Sequence, residues 1–168
     1  FDANAKIAAF NVRAANEMLD AAGYPRNAQG VRFSLKHMPL PYGEIWTRLS
    51  EYLRQAMRQI GVQFELESTD AGSWAGRVGK WEYETTINFV YQFGDPTLGV
   101  ERTYVSTNIQ KVTFTNTGGY ANPQVDALFQ TARTSPAEAD RQRAFSDVQK
   151  ILTEDVPQIW LMELAFPT

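Results

Sequence analysis

The 168-residue chain contains no cysteine and a single histidine, His37, and each scarcity excludes a class of site. Without cysteine the chain can form no disulfide and no thiolate metal site, and it has no cysteine nucleophile. A single histidine cannot form a multi-histidine metal cluster. His37 lies in phase with Leu35 on a predicted strand, so we expect it at the edge of the core rather than on a metal. We therefore expect neither a metal nor a cofactor.

Long apolar runs and an excess of positive charge are also missing. No run approaches the roughly 18 residues that span a bilayer, and we expect no signal peptide at the start of the chain. The net charge is −3 and the pI is near 5.2, which is the opposite of a nucleic-acid-binding surface. We therefore expect no nucleic-acid partner and no membrane insertion of this segment. The length and the 43% hydrophobic content predict one compact domain over residues 1–168.

Apolar residues in the first half of the chain recur with helical and strand periods in turn. Gly23 and Gly61 stand where two helical patterns stop, as glycine does at helix ends. Asp70 is a typical N-cap, and it predicts a third helix that turns Trp74 and Val78 inward. The patterns predict two helices and two strands in alternation, over residues 7–22, 31–37, 45–60 and 62–68.

The second half begins with a strand pattern and continues with two helices. Residues 85–91 are apolar on both faces, which predicts a central strand covered on both sides. Asn122-Pro123 predicts one helix start, and the capping box at 135–138 predicts another, with Pro157 as the end of that helix. Residues 158–164 predict a last strand. Helices in alternation with strands favour the α/β class, with a mixed sheet and helices on both of its faces.

The order of these motifs resembles the C-terminal lobe of family 5 solute-binding proteins, the extracytoplasmic receptors of oligopeptide, dipeptide and nickel ABC importers. The resemblance runs from about Ala14 to Leu161 and depends on the order of five segments: ANEMLDAAGYP, LRQAMRQIGVQFEL, DAGSWAGRVGKWEYE, GGYANPQVDALFQTA and RQRAFSDVQKILTEDVPQIWL. It implies a lobe of the type II periplasmic-binding-protein fold. Family members are longer and have two lobes around a cleft. The implied partners are therefore a missing N-terminal lobe and an ABC permease, and the implied location is the periplasm.

The resemblance also implies where a solute contacts the chain. The predicted strand at 85–91 is followed by a break at Gly94-Asp95-Pro96. In peptide-binding relatives the strand before this break reads Trp, two residues, Asp, an aromatic, one residue and Asp-Pro, and its first acid pairs with the peptide's ammonium. Gln92 stands at the position of that acid, and a neutral amide can donate or accept hydrogen bonds but supplies no charge. The residues expected to contact ligand are Gln92, Tyr91, Phe93, Trp74, Tyr120 and Asn116.

We expect a binding lobe, half of a trap for a peptide-like or other small polar solute, with no catalytic residue. Two alternatives remain open. One is an acid hydrolase that uses Asp95 and Glu101 as paired carboxylates, although Asp95 before Pro96 is also typical of a turn. The other is a protein-interaction domain, for which the aromatic residues at 89–93 would form a hydrophobic patch. The sequence contains no glycine-rich phosphate loop and no nucleophile elbow.

Overall fold

A computed structural model describes residues 7–91 and 93–164 of the chain. These residues form two compact units. Unit 1 contains residues 7–8, 91, 93–110 and 114–164, and unit 2 contains residues 9–90 and 111–113. The chain therefore passes between the units several times. That residues 1–168 form a single domain stays a prediction.

Unit 2 is built on a parallel sheet in which helices connect successive strands. The strand order is β2-β1-β3, and both strand pairs are parallel. A parallel pair requires a long crossover between its strands, and the helices provide it. The α/β class is confirmed. A mixed sheet was expected, whereas both strand pairs among the described residues are parallel. The elements are α1 (Val12–Ala21), β1 (Phe33–Met38), α2 (Glu44–Arg58), β2 (Val62–Leu66), α3 (Ala71–Lys80) and β3 (Thr85–Thr86).

The core of unit 2 follows the predicted alternation. Strand β1 pairs with β2 so that Leu35 lies beside Phe64, and the exposed residues of both strands alternate with the more buried ones. Asp70 caps α3 by accepting a hydrogen bond from the Ser73 N–H, and Trp74 and Val78 are then fully buried. The cap and the inward residues predicted for this helix are confirmed.

The predicted central strand over residues 85–91 is wrong in length and position. Strand β3 contains only Thr85–Thr86 and lies at an edge, while β1 is the central strand. Met38 is the last residue of β1 to pair with β3, and the next residue is Pro39. Because proline has no N–H to donate, it ends the ladder at this point. Residues 87–91 therefore continue without a strand partner among the described residues.

The apolar stripes of the first two helices lie largely at the surface of unit 2. Helix α1 begins at Val12, after the Asn11 cap, so Ile7 lies outside it. None of the residues of α1 is buried, and Met18 is 72% exposed. On α2, Ile45 and Tyr52 are exposed as well. The helical periods were predicted correctly, but not the burial of these side chains.

Unit 1 has two packed helices, α4 (Pro123–Thr134) and α5 (Glu138–Asp155), and two short 3-10 helices, Glu101–Thr103 and Ser106–Asn108. Asn122 caps α4 as predicted, because its side chain accepts from two N–H groups of the first turn. The predicted start of α5 is too early, since Ser135 is the residue that ends α4. The buried core of the unit consists of Tyr104, Val105, Val125, Phe129 and Val148.

The last described residues form an extended segment rather than the predicted strand. We call residues 157–164 the C-terminal segment. The Gln158 amide donates to the Thr103 carbonyl at 3.0 Å, and the Trp160 indole N–H donates to the Tyr104 hydroxyl at 2.6 Å. The other apolar side chains are exposed, up to 77% for Ile159. A strand needs a neighbour, and none of the described residues pairs with this segment.

Candidate ligand-binding surface

Two aromatic rings stand at the surface of unit 1, where the chain leaves the sheet-forming region. Tyr91 is 56% exposed and Phe93 is 65% exposed, and their ring centroids lie 6.2 Å apart. We call these two residues the aromatic patch. Large exposed rings side by side are unusual for a core and typical of a contact surface. The patch combines two of the residues that the sequence marked as ligand contacts.

The backbone of Gly99 packs directly against the patch. Its φ of +130° is a conformation that favours glycine. A Cβ atom at this position would overlap the carbonyl oxygen of Tyr91 and touch the Phe93 ring at 3.4 Å. Glycine is therefore the residue that lets the loop after the rings fold back onto them. Leu98, next to Gly99, adds a further exposed apolar side chain to this loop.

Asp95 holds the loop after the rings by internal contacts. Its carboxylate accepts from the Thr97 N–H at 2.9 Å and from the Thr97 hydroxyl at 2.8 Å, and it forms an ion pair with Arg141 of α5. The hydrogen bonds from Thr97, aided by the charge of Arg141, hold the pKa of Asp95 below its usual range. The carboxylate is therefore ionised, and its oxygens are engaged by Thr97 and Arg141. These contacts stabilise the turn, which is the role that the sequence also suggested for Asp95.

Glu101 is only 4% exposed and forms an ion pair with Arg133 of α4. Its second carboxylate oxygen is buried without a hydrogen-bond partner among the described residues. Because that atom is buried, it is not presented to solvent at the surface of the unit. The two carboxylates considered for a hydrolase are thus each paired with an arginine rather than with each other.

Asn116 and Tyr120 brace the connection that leads into α4. The Asn116 side chain is fully buried, donates to the carbonyls of Val105 and Tyr120, and accepts from the Tyr120 N–H. The Tyr120 hydroxyl donates to Asp155 at 2.5 Å, and burial together with this bond raises the pKa of Tyr120 to about 12. Both polar groups are used inside unit 1, which favours structural roles over ligand contact.

Trp74 lies in unit 2 and has no exposed surface there. Its indole N–H donates to the Thr86 hydroxyl at 2.8 Å, and its ring makes an edge contact with Tyr42. A buried Trp whose N–H has a hydrogen-bond partner contributes to stability as a core residue.

Gln92, the other central candidate, lies outside the described residues. A cavity of about 420 Å³ in unit 2 is lined by other residues, among them Arg26 and Arg58.

His37 is buried at the carboxyl end of β1, as its phase predicted. Its ring stacks on Phe64 with centroids 4.9 Å apart, and its two nitrogens lie 2.9 Å from the Thr85 hydroxyl and 3.2 Å from the Ser50 hydroxyl. Burial lowers the pKa of His37 to about 4.

Within residues 7–91 and 93–164, no three side chains of the metal-binding types form a group that could hold an ion. No described helix is both long and apolar enough to span a membrane.

The sequence alone could not predict that Asp95 forms an ion pair with Arg141 and that Glu101 forms one with Arg133. Arg141 is 46 residues from Asp95 along the chain, and only the packing of α5 brings the two together. No local motif marks such a pair. The signal that selected Tyr91 and Phe93 was local, because Tyr91 ends the strand pattern at residues 85–91 and Phe93 directly precedes Gly94-Asp95-Pro96.

Comparisons with known proteins give relatives in sequence and neighbours in structure. No protein-family model matches the chain. The glutathione-binding protein GsiB of Pectobacterium atrosepticum is 27% identical over 153 residues, which cover 88% of this chain and 29% of that protein. The chain thus spans less than a third of the length of the curated relatives it matches.

The structural neighbours include one protein solved with a peptide and one solved with a nickel complex. The periplasmic binding protein DppA of Helicobacter pylori, solved with the peptide STSA, has a TM-score of 0.81 at 19% identity, over 94% of this chain and 30% of that one. NikZ of Campylobacter jejuni, solved with Ni(L-His), has a TM-score of 0.80 at 21% identity, over 90% of this chain and 32% of that one. These matches confirm the fold and the resemblance to family 5 solute-binding proteins.

Proposed function

We propose that this chain is one lobe of the solute-binding component of an ABC importer, and that it takes part in trapping a peptide-like or other small polar solute. The observation that carries the proposal is what the chain matches. It covers 29% of a protein named as glutathione-binding and 30% of an ABC-transporter-associated periplasmic binding protein that was solved with a peptide. Such a receptor works outside the cytoplasm, in the periplasm, and delivers its solute to a permease. It performs no reaction.

The aromatic patch supplies this lobe's side of the solute site. Small-molecule sites lie preferentially between domains, where closure buries most of the ligand. Tyr91 and Phe93 offer exposed apolar area, and Gln92 between them in sequence offers an amide donor and acceptor. The opposing side of the site belongs to the lobe that this chain does not contain.

The hydrolase alternative is not favoured. A general acid needs a raised pKa, whereas the pKa of Asp95 is lowered. Asp95 and Glu101 are both neutralised by arginines, so neither is available as the partner of the other. The related proteins are named as binding proteins, not as enzymes. Their names also specify small solutes, which leaves no observation that favours a protein-interaction domain.

The test uses the full-length receptor, purified without denaturation and examined by mass spectrometry for bound small molecules. We expect one solute or a narrow set of related solutes at close to one molecule per protein. Adding the identified solute to stripped receptor should reduce its radius of gyration in solution scattering, because the two lobes close. A stripped receptor that binds no solute from a cell extract would overturn the proposal.

The chain by itself provides the matched control. One lobe leaves a face of the solute in water, and affinity falls because less of the ligand is buried. The same solute at micromolar concentration should barely change the melting temperature of the isolated chain, since the shift depends on the ratio of concentration to Kd. An equal shift in chain and receptor would place the site wholly within this chain and contradict a two-lobe trap.

A further inference from the structure

We propose that the cavity in unit 2 binds a small oxyanion with two or more negative charges, such as a polycarboxylate or an organic phosphate. The cavity has a volume of about 420 Å³, and its lining includes Arg26, Arg58, Gln29, Gln63, Gly61 and Val62. We call it the arginine cavity. It belongs to unit 2, whereas the aromatic patch belongs to unit 1, so this inference does not rest on the proposed function.

The arginine cavity lies at the amino ends of β1 and β2, beside the last residue of α2. Val62, the first residue of β2, pairs with Phe33, the first residue of β1. Gly61 and Val62 are buried. Arg26 and Arg58 are exposed, so a small molecule can reach them from solvent. The volume of the cavity is in the range of small-molecule sites.

Arg26 is held in place by neutral acceptors. Its Nη1 atom donates to the Gly30 carbonyl at 2.6 Å, and its Nη2 atom donates to the Asn16 side-chain oxygen at 2.8 Å and to the Gln59 carbonyl at 2.7 Å. These bonds use three of the five N–H donors of a guanidinium, so two remain. The three contacts orient the guanidinium group of Arg26 without neutralising its charge.

Positive charge exceeds negative charge around the cavity, among the residues that the structure describes. Arg32 donates to the same Asn16 oxygen as Arg26, at 3.0 Å, so the two guanidinium groups are close neighbours. Asp20 forms an ion pair with Arg32, whose hydrogen bond lowers the pKa of Asp20. Asp20 is thus ionised and balances one arginine. Arg58 forms none of the ion pairs found within residues 7–91 and 93–164.

Two of the arginines also serve the end of α2. Arg26 donates to the Gln59 carbonyl, and the Nε atom of Arg32 donates to the Ile60 carbonyl at 2.9 Å. The carbonyl end of a helix carries roughly half a negative charge and stabilises cations. Half a charge together with Asp20 does not balance three guanidinium groups. Helix capping therefore explains where the arginines lie, and it leaves an excess of positive charge at the cavity.

The lining matches the chemistry of an oxyanion. A guanidinium group is a planar fork that binds a carboxylate or a phosphate through paired hydrogen bonds. Arg26 and Arg58 supply two such groups, and the amides of Gln29 and Gln63 are further donors in the same cavity. Two cations favour an anion with several charges over a monocarboxylate.

The experiment titrates the full-length receptor with citrate, inorganic phosphate and acetate by isothermal titration calorimetry, at one pH and one ionic strength. We expect the better of citrate and phosphate to bind saturably, one per receptor, and about tenfold or more tightly than acetate. Tighter binding of citrate assigns the cavity to polycarboxylates, and tighter binding of phosphate assigns it to phosphates. Absence of saturable binding, or equal binding of acetate, would overturn the inference.

Two arginine variants locate the site. Arg58→Gln removes a cavity guanidinium from an exposed position, so it should weaken binding about tenfold or more while the melting temperature without anion stays the same. Arg48→Gln makes the same change of charge on the same helix, outside the cavity, and should change binding less than about twofold because salt screens distant charges. If Arg58→Gln binds the anion like wild type, or if both variants weaken binding equally, the inference is wrong.

Gln63→Glu tests the excess of charge in a second way. It places a carboxylate among the arginines of the cavity, where it should compete with the anion. A saturating concentration of citrate or phosphate should raise the melting temperature of wild type, because a ligand stabilises the folded state that binds it. The same anion should leave the melting temperature of Gln63→Glu unchanged. An equal rise in both proteins would place the anion elsewhere and overturn the inference, whereas solute capture at the aromatic patch would be unaffected.

Discussion

Gly99 carries the strictest requirement of any residue near the aromatic patch. It combines a φ of +130° with a backbone that lies against the Tyr91 carbonyl. Gly94, in the same loop, has a positive φ of +76° but no atom within 4 Å of the place where a Cβ would stand. The two glycines separate the cost of a backbone conformation from the cost of a close contact.

We expect Gly94→Ala to reduce the free energy of unfolding by about 1–2 kcal/mol, the range for an L-residue in a left-handed conformation. Gly99→Ala should cost about 1–3 kcal/mol more, since the added methyl also overpacks against Tyr91. Urea unfolding of the two variants beside wild type measures both values. Equal losses for the two would show that the loop moves away from Tyr91 without resistance.

His37 makes stability depend on pH at a single buried ring. Its neighbours from β2, α2 and β3 are Phe64, Ser50 and Thr85, all uncharged, so no partner stabilises the imidazolium. Burial lowers its pKa from 6.5 to about 4. The unfolded chain therefore binds a proton near pH 6.5 that the folded chain does not take up until about pH 4. The contribution of neutral His37 to the free energy of unfolding is therefore fully present above pH 6.5 and is lost as the pH falls from 6.5 to about 4.

The expected loss from His37 is about 3 kcal/mol between pH 7 and pH 4, from the difference between the two pKa values. His37→Gln keeps a hydrogen-bonding side chain and removes the titration, so its stability should fall less over the same range. The carboxylates titrate in both proteins, and the comparison cancels them. Parallel stability curves for wild type and His37→Gln would contradict the assignment.

Among the elements, the helices and strands with a clear local pattern were predictable from the sequence. The elements whose extent depends on pairing with a neighbouring strand were not. The periods of α2, α3 and α4, the caps of α3 and α4, and the alternation in β1 and β2 are local signals, and the structure follows them. The length of β3 and the pairing of residues 158–164 depend on a neighbouring strand, which no local pattern specifies. Periodicity likewise shows which side of α1 is apolar, but not whether anything covers it.

The candidate site divides in the same way. Tyr91 and Phe93 were selected as ligand contacts from their place at the end of the strand pattern, but their exposure was not predicted, because residues 85–91 were expected to form a strand covered on both sides. Trp74 and Asn116 were also selected as ligand contacts, because an indole or an amide serves a core and a binding site equally well in sequence. Only burial and hydrogen bonds distinguish the two uses, and they favour structural roles for both residues.

The connection into α4 offers a test of that distinction. Asn116 makes three hydrogen bonds to the backbone of Val105 and Tyr120 from a fully buried position. Asn116→Ala should therefore reduce the free energy of unfolding by about 2–4 kcal/mol, since each lost bond contributes about 1 kcal/mol and the stranded backbone groups add to it. Gln124→Ala, at an exposed position on α4, serves as control. Normal stability with lost solute binding would instead assign Asn116 to the site.

At the scale of the whole molecule, the two units are interleaved along the chain. Residues 111–113 belong to unit 2, yet they lie in sequence between two segments of unit 1. Thr113 donates to the Ala75 carbonyl at 2.7 Å, which holds this short stretch to α3. Unfolding of unit 2 would release residues 111–113 and free the two segments of unit 1 that they connect.

We therefore expect the isolated chain to unfold in one cooperative transition, as the single-domain prediction requires. Calorimetry tests this, because the calorimetric and van't Hoff enthalpies agree for one transition and differ for two. Thr113→Val removes the bond to Ala75 and should lower the midpoint without splitting the transition. Two separate transitions in wild type would show that the units fold independently.

The C-terminal segment should make copies of the isolated chain associate with one another. The part of this segment after Pro157, residues 158–164, is extended, largely exposed and rich in β-forming side chains. It contains no proline and one charge, which is the composition of segments that template strand addition between molecules. Above some concentration, copies of the chain should pair along this segment and sediment as polydisperse species. A lysine in place of the exposed Leu161 should act as a gatekeeper and keep the chain monomeric in sedimentation velocity, while its unfolding midpoint stays the same.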